Sequence, residues 1–550
     1  MTWTAWLLAL GVNAALVAAG WLRSRRPRDA TGWQLAGRRL AWPMVGLSLF
    51  ATAIDSGDFV AVVGGAYQYG IAYLSTWWLG IPVGWLLVTS AVLVPVYRAG
   101  FFTNSEYLEA RFGPSMRLVG ALVQIQQRTH VMGNMAFSLF LLLGALTGWG
   151  AGAWWLVAGL AVLAAAYTAS GGLRAVVTTD SLQTVMIVIA SVLLWATVWT
   201  GIGGWDSIRA RLAATDPDLP RRVLSYEGIA GPGAPLALVL FGWIAVHTAY
   251  CIVNHSQTMR LLGARTERDM RAAAALAAAV LVGVMWCNVS LGIMGRALYP
   301  DLDQVDAAFP DLFRNHLDGA LAGLVLAGVL SACLSTYDSI GSALGAVFTR
   351  DVYCRFLAPH AGGKASLAAT RAASVACIGL SFLYVPFLGE GMVAFYLRLS
   401  SVAVVPLGTV FAVGALTRAH RDSGLAGVLS GVACGIVSMA GDRWDWPLPV
   451  WMTSVWWSYL WAVGVTAAVM FAWSAAAGRA DRASLRGLTL ASCRRGERYR
   501  GSGEGWLERS RAAVAERTKA AVAVPGRLRP EHLTAAVLVI AALVFFAAFR

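Results

Sequence analysis

The chain has 550 residues, of which 58% are hydrophobic and only 13% charged, with a mean hydropathy of +0.63. A water-soluble domain of that size is excluded; the composition predicts an all-α polytopic membrane protein, because apolar runs of about 20 residues recur along its length. The formal net charge of +14 does not mark a nucleic-acid binder, since the arginines fall in alternate connections between the apolar runs.

About fourteen stretches reach spanning length by the roughly 20-residue rule. They lie near 3–22, 41–66, 72–97, 117–147, 152–170, 180–203, 234–262, 269–297, 317–348, 365–388, 390–417, 423–441, 451–476 and 532–549. Arg23, Arg25, Arg26, Arg28, Arg38 and Arg39 follow the first, which puts that connection in the cytoplasm and the N-terminus outside. The first stretch lacks a basic leader and a small-residue cleavage site, so it reads as a retained anchor. Later cytoplasmic connections carry Arg98 and Arg111, Arg174, Arg260 to Arg271, Arg350 to Arg371, and Arg418 with Arg421. Only the connection 204–233, with Arg209, Arg211, Arg221 and Arg222, breaks the alternation.

The expected organisation is an N-terminal helix and basic loop (1–40), a five-helix group (41–203), an extracellular loop (204–233) and a second five-helix group (234–417). Accessory helices (418–476), a basic amphipathic cytoplasmic segment (477–531) and a last transmembrane helix (532–550) complete it. An odd number of spans per group forces opposite orientations, the condition for two inverted five-helix repeats with broken first helices.

Taken in chain order, the second span is unusual in holding Asp55 and Asp58 around Ser56 and Gly57. A carboxylate at bilayer depth costs about 2.5 to 3.5 kcal/mol, so two of them imply water, a cation or a partner. The same Asp-Ser-Gly-Asp run favours a helix break, and an unwound turn frees carbonyls for a cation. The acids could instead sit at an interface. Asp180, in TTD before a long apolar run, reads from its residues as a helix N-cap. In LSACLSTYDSIGSALGAVFTRDVY, residues 330–353, adjacent Ser335 and Thr336 deep in a span offer oxygens that a hard cation such as Na⁺ prefers. Arg398 reads as a guanidinium well inside the eleventh span that needs an anion, either a solute carboxylate or Asp55 or Asp58. The seven cysteines show no metal spacing and read as core fillers, and most tryptophans read as interfacial or packing residues.

Three segments together resemble the sodium:solute symporter family, with its LeuT-type fold: SLFATAIDSGDF (48–59), GGLRAVVTTDSLQ (171–183) and residues 330–353. The resemblance implies a main sodium site built from the carbonyls of Ala51, Ile54 and Ala332 and the hydroxyls of Ser335 and Thr336. It implies a second cation site at Asp180 and Ser339, with Asp338 standing where the family usually has a hydroxyl or small residue. For the solute it points to Asp58, Trp77 and His247, with Tyr250 as an aromatic gate, a set that keeps little of the sugar carriers' pattern. Were Arg398 to hold a carboxylate and Asp55 an amine, the cargo would be zwitterionic, so an amino acid or amine-like solute is slightly favoured over a sugar.

The resulting expectation is a symporter that imports a small polar solute with Na⁺ by alternating access in the lipid bilayer, in a bacterial inner membrane. A solute sensor keeping the carrier fold, or a proton-coupled carrier, are the alternatives. A membrane enzyme ranks last, because the chain holds no HExxH, GxSxG or P-loop. Nothing points to nucleic acid or to a particular oligomeric state.

Overall fold

The computed structural model describes residues 1–23, 35–74, 76–168, 173–225, 236–388 and 392–499. The described residues are helices and turns, with one isolated bridge between Leu40 and Ala264. Nine of their helices are long and apolar enough to cross a membrane, and a pair bent by 59°, Trp42–Ala53 with Ser56–Tyr73, makes a tenth. Three further apolar helices are shorter, Gly150–Ala166, Gly242–Val253 and Ser400–Leu416. The expected fourteen spans are therefore not reached among the described residues, and the stretch 532–549 lies outside them.

The N-terminal helix α1 (Trp3–Arg23) lies ahead of the bent pair α2 (Trp42–Ala53) and α3 (Ser56–Tyr69). Then come α4 (Trp77–Ala99), short α5 (Asn104–Phe112), α6 (Pro114–Thr147), α7 (Ala153–Thr168) and α8 (Leu173–Ile202). The connection expected at 204–233 contains two short helices, α9 (Gly204–Thr215) and α10 (Leu219–Val223), with 226–233 outside the described residues.

The second half opens with another broken helix, α11 (Leu236–Val253) and α12 (His255–Leu262), interrupted at Asn254. It continues with α13 (Glu267–Leu298), α14 (Ala308–His316), α15 (Gly319–Val347), α16 (Gly363–Ser381), α17 (Met392–Leu399) and α18 (Val405–Leu416). Helices α19 (Ser423–Arg443) and α20 (Val455–Ala476) pair on one side.

Helix α15 is the axis of the bundle: it packs on α1, α2, α7, α8 and α16, and every residue from Val325 to Val347 is buried. Close approach comes from small residues, as is usual in lipid, where no hydrophobic force drives helices together and tight packing must hold them. A Cβ on Gly328 would overlap Ala190 of α8, and one on Gly292 of α13 would overlap the Val63 carbonyl of α3.

At the arginine-rich end, a buried ion network ties α5, α6 and the end of α15. Glu106 receives Arg350 Nε at 2.6 Å and the Phe102 N–H at 2.9 Å. Arg117 reaches Glu109 at 2.6 Å and Asp351 at 2.8 Å, and Thr103 donates to the same Asp351 oxygen at 2.9 Å. Burial alone would push the Glu106 carboxyl up, but the Arg350 and Arg117 guanidiniums and the Phe102 N–H outweigh it and hold it below its ordinary 4.5.

The basic segment expected at 477–531 is described from 477 to 499. Residues 477–499 form turns and one short helix, α21 (Leu490–Arg494). They are docked on the bundle: Tyr107 donates to Leu488 O at 2.9 Å, Arg98 to Cys493 O at 2.7 Å and Arg418 to Ala480 O at 3.0 Å. Polar side chains already projecting from the bundle capture its backbone carbonyls. Residues 500–531 lie outside the described residues.

Two outcomes follow from this packing. Gly292→Val forces a branched side chain against backbone and is expected to cost at least about 1 to 3 kcal/mol, read as a lower thermal midpoint of purified protein. Because Glu106 is held below its ordinary value, its stabilisation is present above pH 4.5 and lost as pH falls through its folded value. Glu106→Gln, which takes away the carboxylate that Arg350 Nε donates to, is expected to lose about 3 to 5 kcal/mol at neutral pH. Its thermal midpoint should then fall less on acidification than that of the unaltered protein.

Candidate cation and solute site

Helix α2 stops because Ile54 is extended (φ −115°, ψ 126°), after its N–H has closed the last turn onto Phe50 O. Helix α3 starts afresh with Asp55 as its N-cap. Asp55 Oδ1 accepts from the Gly57 N–H at 2.6 Å, and Asp58 Oδ2 accepts from the Asp55 N–H at 2.8 Å. The two carboxylates that looked like unpaired charges thus form a capping box that satisfies the N–H groups exposed by the break. The freed carbonyls at the end of α2 meet α15. Ser335 Oγ donates to Ala51 O at 3.0 Å and to Ala332 O at 2.9 Å, and Thr336 Oγ1 donates to Ile54 O at 3.1 Å.

The structure thus gathers Ala51, Ile54, Ala332, Ser335 and Thr336 at one place, each no more than 1% exposed. Three carbonyls and two hydroxyls are neutral hard oxygens, fitted to a small alkali cation and not to a soft metal. The negative end of the α2 dipole adds to the attraction.

A second polar layer lies along the same face of α15. Asp180 Oδ2 accepts from Arg260 Nη2 at 2.9 Å and from Ser48 Oγ at 2.6 Å. Arg260 also donates to Ser339, and Thr52 and Ser339 are 3.3 Å apart. Asp338 faces this group, with Asp180 and Arg260 as its charged neighbours. Asp180, Asp338 and Ser339 are therefore together, but with a guanidinium among them that sequence reasoning did not place there. The N-cap reading of Asp180 is overturned: α8 begins at Leu173, so Asp180 lies inside the helix. Among the described residues, Asp180 Oδ1 and Asp338 Oδ1 are buried without a hydrogen-bond partner.

Beside the break is a cavity of about 110 Å³. Of the residues expected at the solute, Asp55, Asp58, Trp77, His247 and Tyr250 all line it. Thr52, Ala53 and Asp55 line it too, so its wall is the same turn whose carbonyls face α15. Aromatic rings enclose it: Trp77 and His247 have centroids 6.4 Å apart, Tyr73 and Trp243 6.4 Å, and Tyr250 and Tyr396 6.3 Å. His247 Nδ1 is 3.0 Å from Trp243 O, which fixes the ring and directs its other nitrogen elsewhere.

Arg398 is not part of this site. It pairs with Asp442 of α19 at 2.5 Å, and both side chains are about two-fifths exposed. The expectation that it holds a solute carboxylate or pairs with Asp55 or Asp58 is corrected, because a counter-ion on an accessory helix already neutralises it. The guanidinium that faces Asp55 and Asp58 is Arg128 of α6, 1% exposed, with Nη1 donating to Tyr250 Oη at 2.9 Å. Sequence reasoning missed Arg128, although QIQQRTH inside an apolar run carries the same signal that singled out Arg398. Tyr73, Asn134, Trp243 and Tyr396 were missed as well, and no local pattern marks them.

With this geometry established, the comparisons are direct. A family model described as the sodium:solute symporter family matches residues 33–431. The sodium/myo-inositol cotransporter 2 of Rattus norvegicus is 27% identical over 477 residues, covering 79% of this chain and 70% of that protein. The sodium/glucose cotransporter 1 of Oryctolagus cuniculus is 26% identical over 451 residues, covering 74% and 67%. Among solved structures, a substrate-bound, outward-open Na⁺-coupled sialic acid symporter superposes with a TM-score of 0.73 at 16% identity, covering 88% of this chain and 99% of the other. A nucleobase-cation-symport-1 family transporter gives 0.51 at 14% identity, covering 84% and 99%. At these identities the two structures establish the fold, and the family match establishes sodium coupling: the chain belongs to the sodium:solute symporter family, as an integral membrane transporter.

Proposed function

We propose that this protein carries a small, neutral, polyhydroxylated solute of the sugar or cyclitol class together with sodium, inward by alternating access. The observation that supports it most is the shared turn: Ala51 and Ile54 face the hydroxyls of α15, while Thr52, Ala53 and Asp55 form the cavity wall. Sodium among Ala51, Ile54, Ala332, Ser335 and Thr336 holds that turn against α15 and so orders the Asp55–Asp58 box at the solute. A cation that binds the ordered turn better than the loosened one raises solute affinity by the same factor that solute raises cation affinity.

Solute chemistry follows from the lining. Carboxylate oxygens of Asp55 and Asp58, the Asn134 amide and the Arg128 guanidinium offer both acceptors and donors, the mixture that hydroxyl groups need. Aromatic faces such as Tyr73 and Trp77 suit the C–H face of a ring. The named cargoes of the relatives, myo-inositol and glucose, agree with this reading. An amine-like cargo requires Arg398 to hold the solute carboxylate, and Arg398 lies elsewhere, paired with Asp442. A zwitterion is the second reading, because Arg128 places a positive charge opposite those carboxylates.

Two breaks, at Ile54–Asp55 and at Asn254, support the reading of 41–203 and 234–417 as inverted repeats with broken first helices. The alternating arginines support an external N-terminus. Asp180, Asp338 and Ser339 form a second cation-attracting layer in which Arg260 already supplies one positive charge.

Purified protein is to be melted with myo-inositol, glucose, alanine and a simple amine, each in sodium and in potassium. Stabilisation by a polyol that requires sodium is expected; stabilisation by alanine alone would select the zwitterion reading, and by the amine alone would contradict both. Ser335→Ala combined with Thr336→Ala is expected to remove the sodium-dependent shift and to lower stability in potassium by about 1 to 3 kcal/mol for each carbonyl left unmet. A retained sodium shift would overturn the ligand set. Asp55→Asn keeps the capping oxygen and is expected to leave sodium stabilisation in place, whereas Asp55→Ala costs about 1 kcal/mol and weakens the response to sodium and polyol together.

A further inference from the structure

We infer that α1 is a positioning element of the sodium site, acting through Asn13. The inference rests on the sodium ligands proposed above and concerns a helix, Trp3–Arg23, that precedes the family-matched segment 33–431. One face of α1 is lipid-like: Leu7, Leu10 and Leu22 are at least half exposed. Its other face is pressed on α8 and α15, the two helices that carry the buried carboxylates Asp180 and Asp338. A Cβ on Gly20 would overlap Thr179 of α8, the residue before Asp180, and one on Gly323 of α15 would lie 2.9 Å from Ala5 O.

Between these contacts stands Asn13, a polar side chain in an apolar helix and 4% exposed. Its Nδ2 donates to Ala9 O at 2.9 Å within α1 and to Ala327 O of α15 at 3.0 Å, and its Oδ1 accepts from Ser331 Oγ at 2.9 Å. Both carbonyls can only accept, which fixes the orientation of the amide.

The arrangement is an interlock. A serine inside a helix ordinarily turns its hydroxyl back onto the carbonyl four residues earlier, a bond that tends to bend the helix. Here that carbonyl belongs to Ala327 and receives the Asn13 amide, while the Ser331 hydroxyl is drawn across to α1. The turn so held, Ala327 to Ser331, leads directly into Ala332, Ser335 and Thr336. Its rotation sets where those three oxygens meet Ala51 and Ile54. Asn13 touches no ligand and acts only through Ser331 and the register of α15.

The experiment is a sodium chloride titration of thermal stability at constant ionic strength, with potassium as replacement, on full-length protein in detergent. Asn13→Leu and Ser331→Ala are each expected to raise the half-saturating sodium concentration about threefold to tenfold, the scale of one interhelical hydrogen bond in a membrane. The double variant is expected to be no worse than either alone, because both remove the same interlock. Leu7→Ala, on the lipid face, should leave sodium half-saturation unchanged. An unchanged half-saturation in Asn13→Leu and Ser331→Ala, with only a lower midpoint in potassium, would overturn the inference and leave Asn13 a packing residue. If Asn13→Leu does not fold, Ser331→Ala carries the same test. Absence of any sodium effect in the unaltered protein would overturn the sodium-site reading, and this inference with it.

Discussion

A helix broken inside a membrane must satisfy the backbone groups it exposes, and the way this chain does so at Ile54–Asp55 governs the rest of the structure. Lipid offers no hydrogen bonds, so each open N–H or C=O would cost several kcal/mol. The N–H side is closed locally by the Asp55 and Asp58 carboxylates. The C=O side is met from across the bundle by Ser335 and Thr336. This asymmetry matters: the local cap keeps α3 in place, whereas the carbonyls depend on α15 and on whatever cation joins them. The break is at once a structural joint and a cluster of neutral oxygens next to a solute-sized cavity.

The same economy governs charge. Buried charges are met by neighbours: Asp180 by Arg260, Glu106 by Arg350, Asp351 by Arg117, and Asp55 with Asp58 by Arg128. Removing one partner from such a pair strands the other in a low-dielectric interior, so the pairs are costly to break even where their net contribution is small. Two groups set two carboxylates against one guanidinium: Asp55 and Asp58 with Arg128, and Asp180 and Asp338 with Arg260.

The motifs were legible because they combine chemistry with spacing. An Asp-Ser-Gly-Asp run in an apolar stretch announces a break, and paired hydroxyls at Ser335 and Thr336 announce a cluster of oxygens; in the fold those hydroxyls donate to the carbonyls of Ala51 and Ile54. Depth and direction were not legible. Arg398 and Arg128 carry the same signal in one dimension, but only the fold shows that Arg398 faces Asp442 while Arg128 faces the cavity. Asp180 was ambiguous because helix starts drift by several residues in sequence, and α8 begins earlier than the apolar run suggests. The aromatic enclosure of Tyr73, Trp243 and Tyr396 arises from three helices distant in sequence, which no local period encodes. Nor does composition separate the docked turns of 477–499 from a membrane-surface helix, since both are basic.

The central claim is that a sodium ion sits where the broken helix meets α15. Experimental density maps of the protein in sodium and in an organic cation too large for the site test it most directly. The account predicts a feature enclosed by the carbonyls of Ala51, Ile54 and Ala332 and the hydroxyls of Ser335 and Thr336, present in sodium only. Well-resolved oxygens with no feature among them in sodium, or a sodium-dependent feature elsewhere in the bundle, would contradict it.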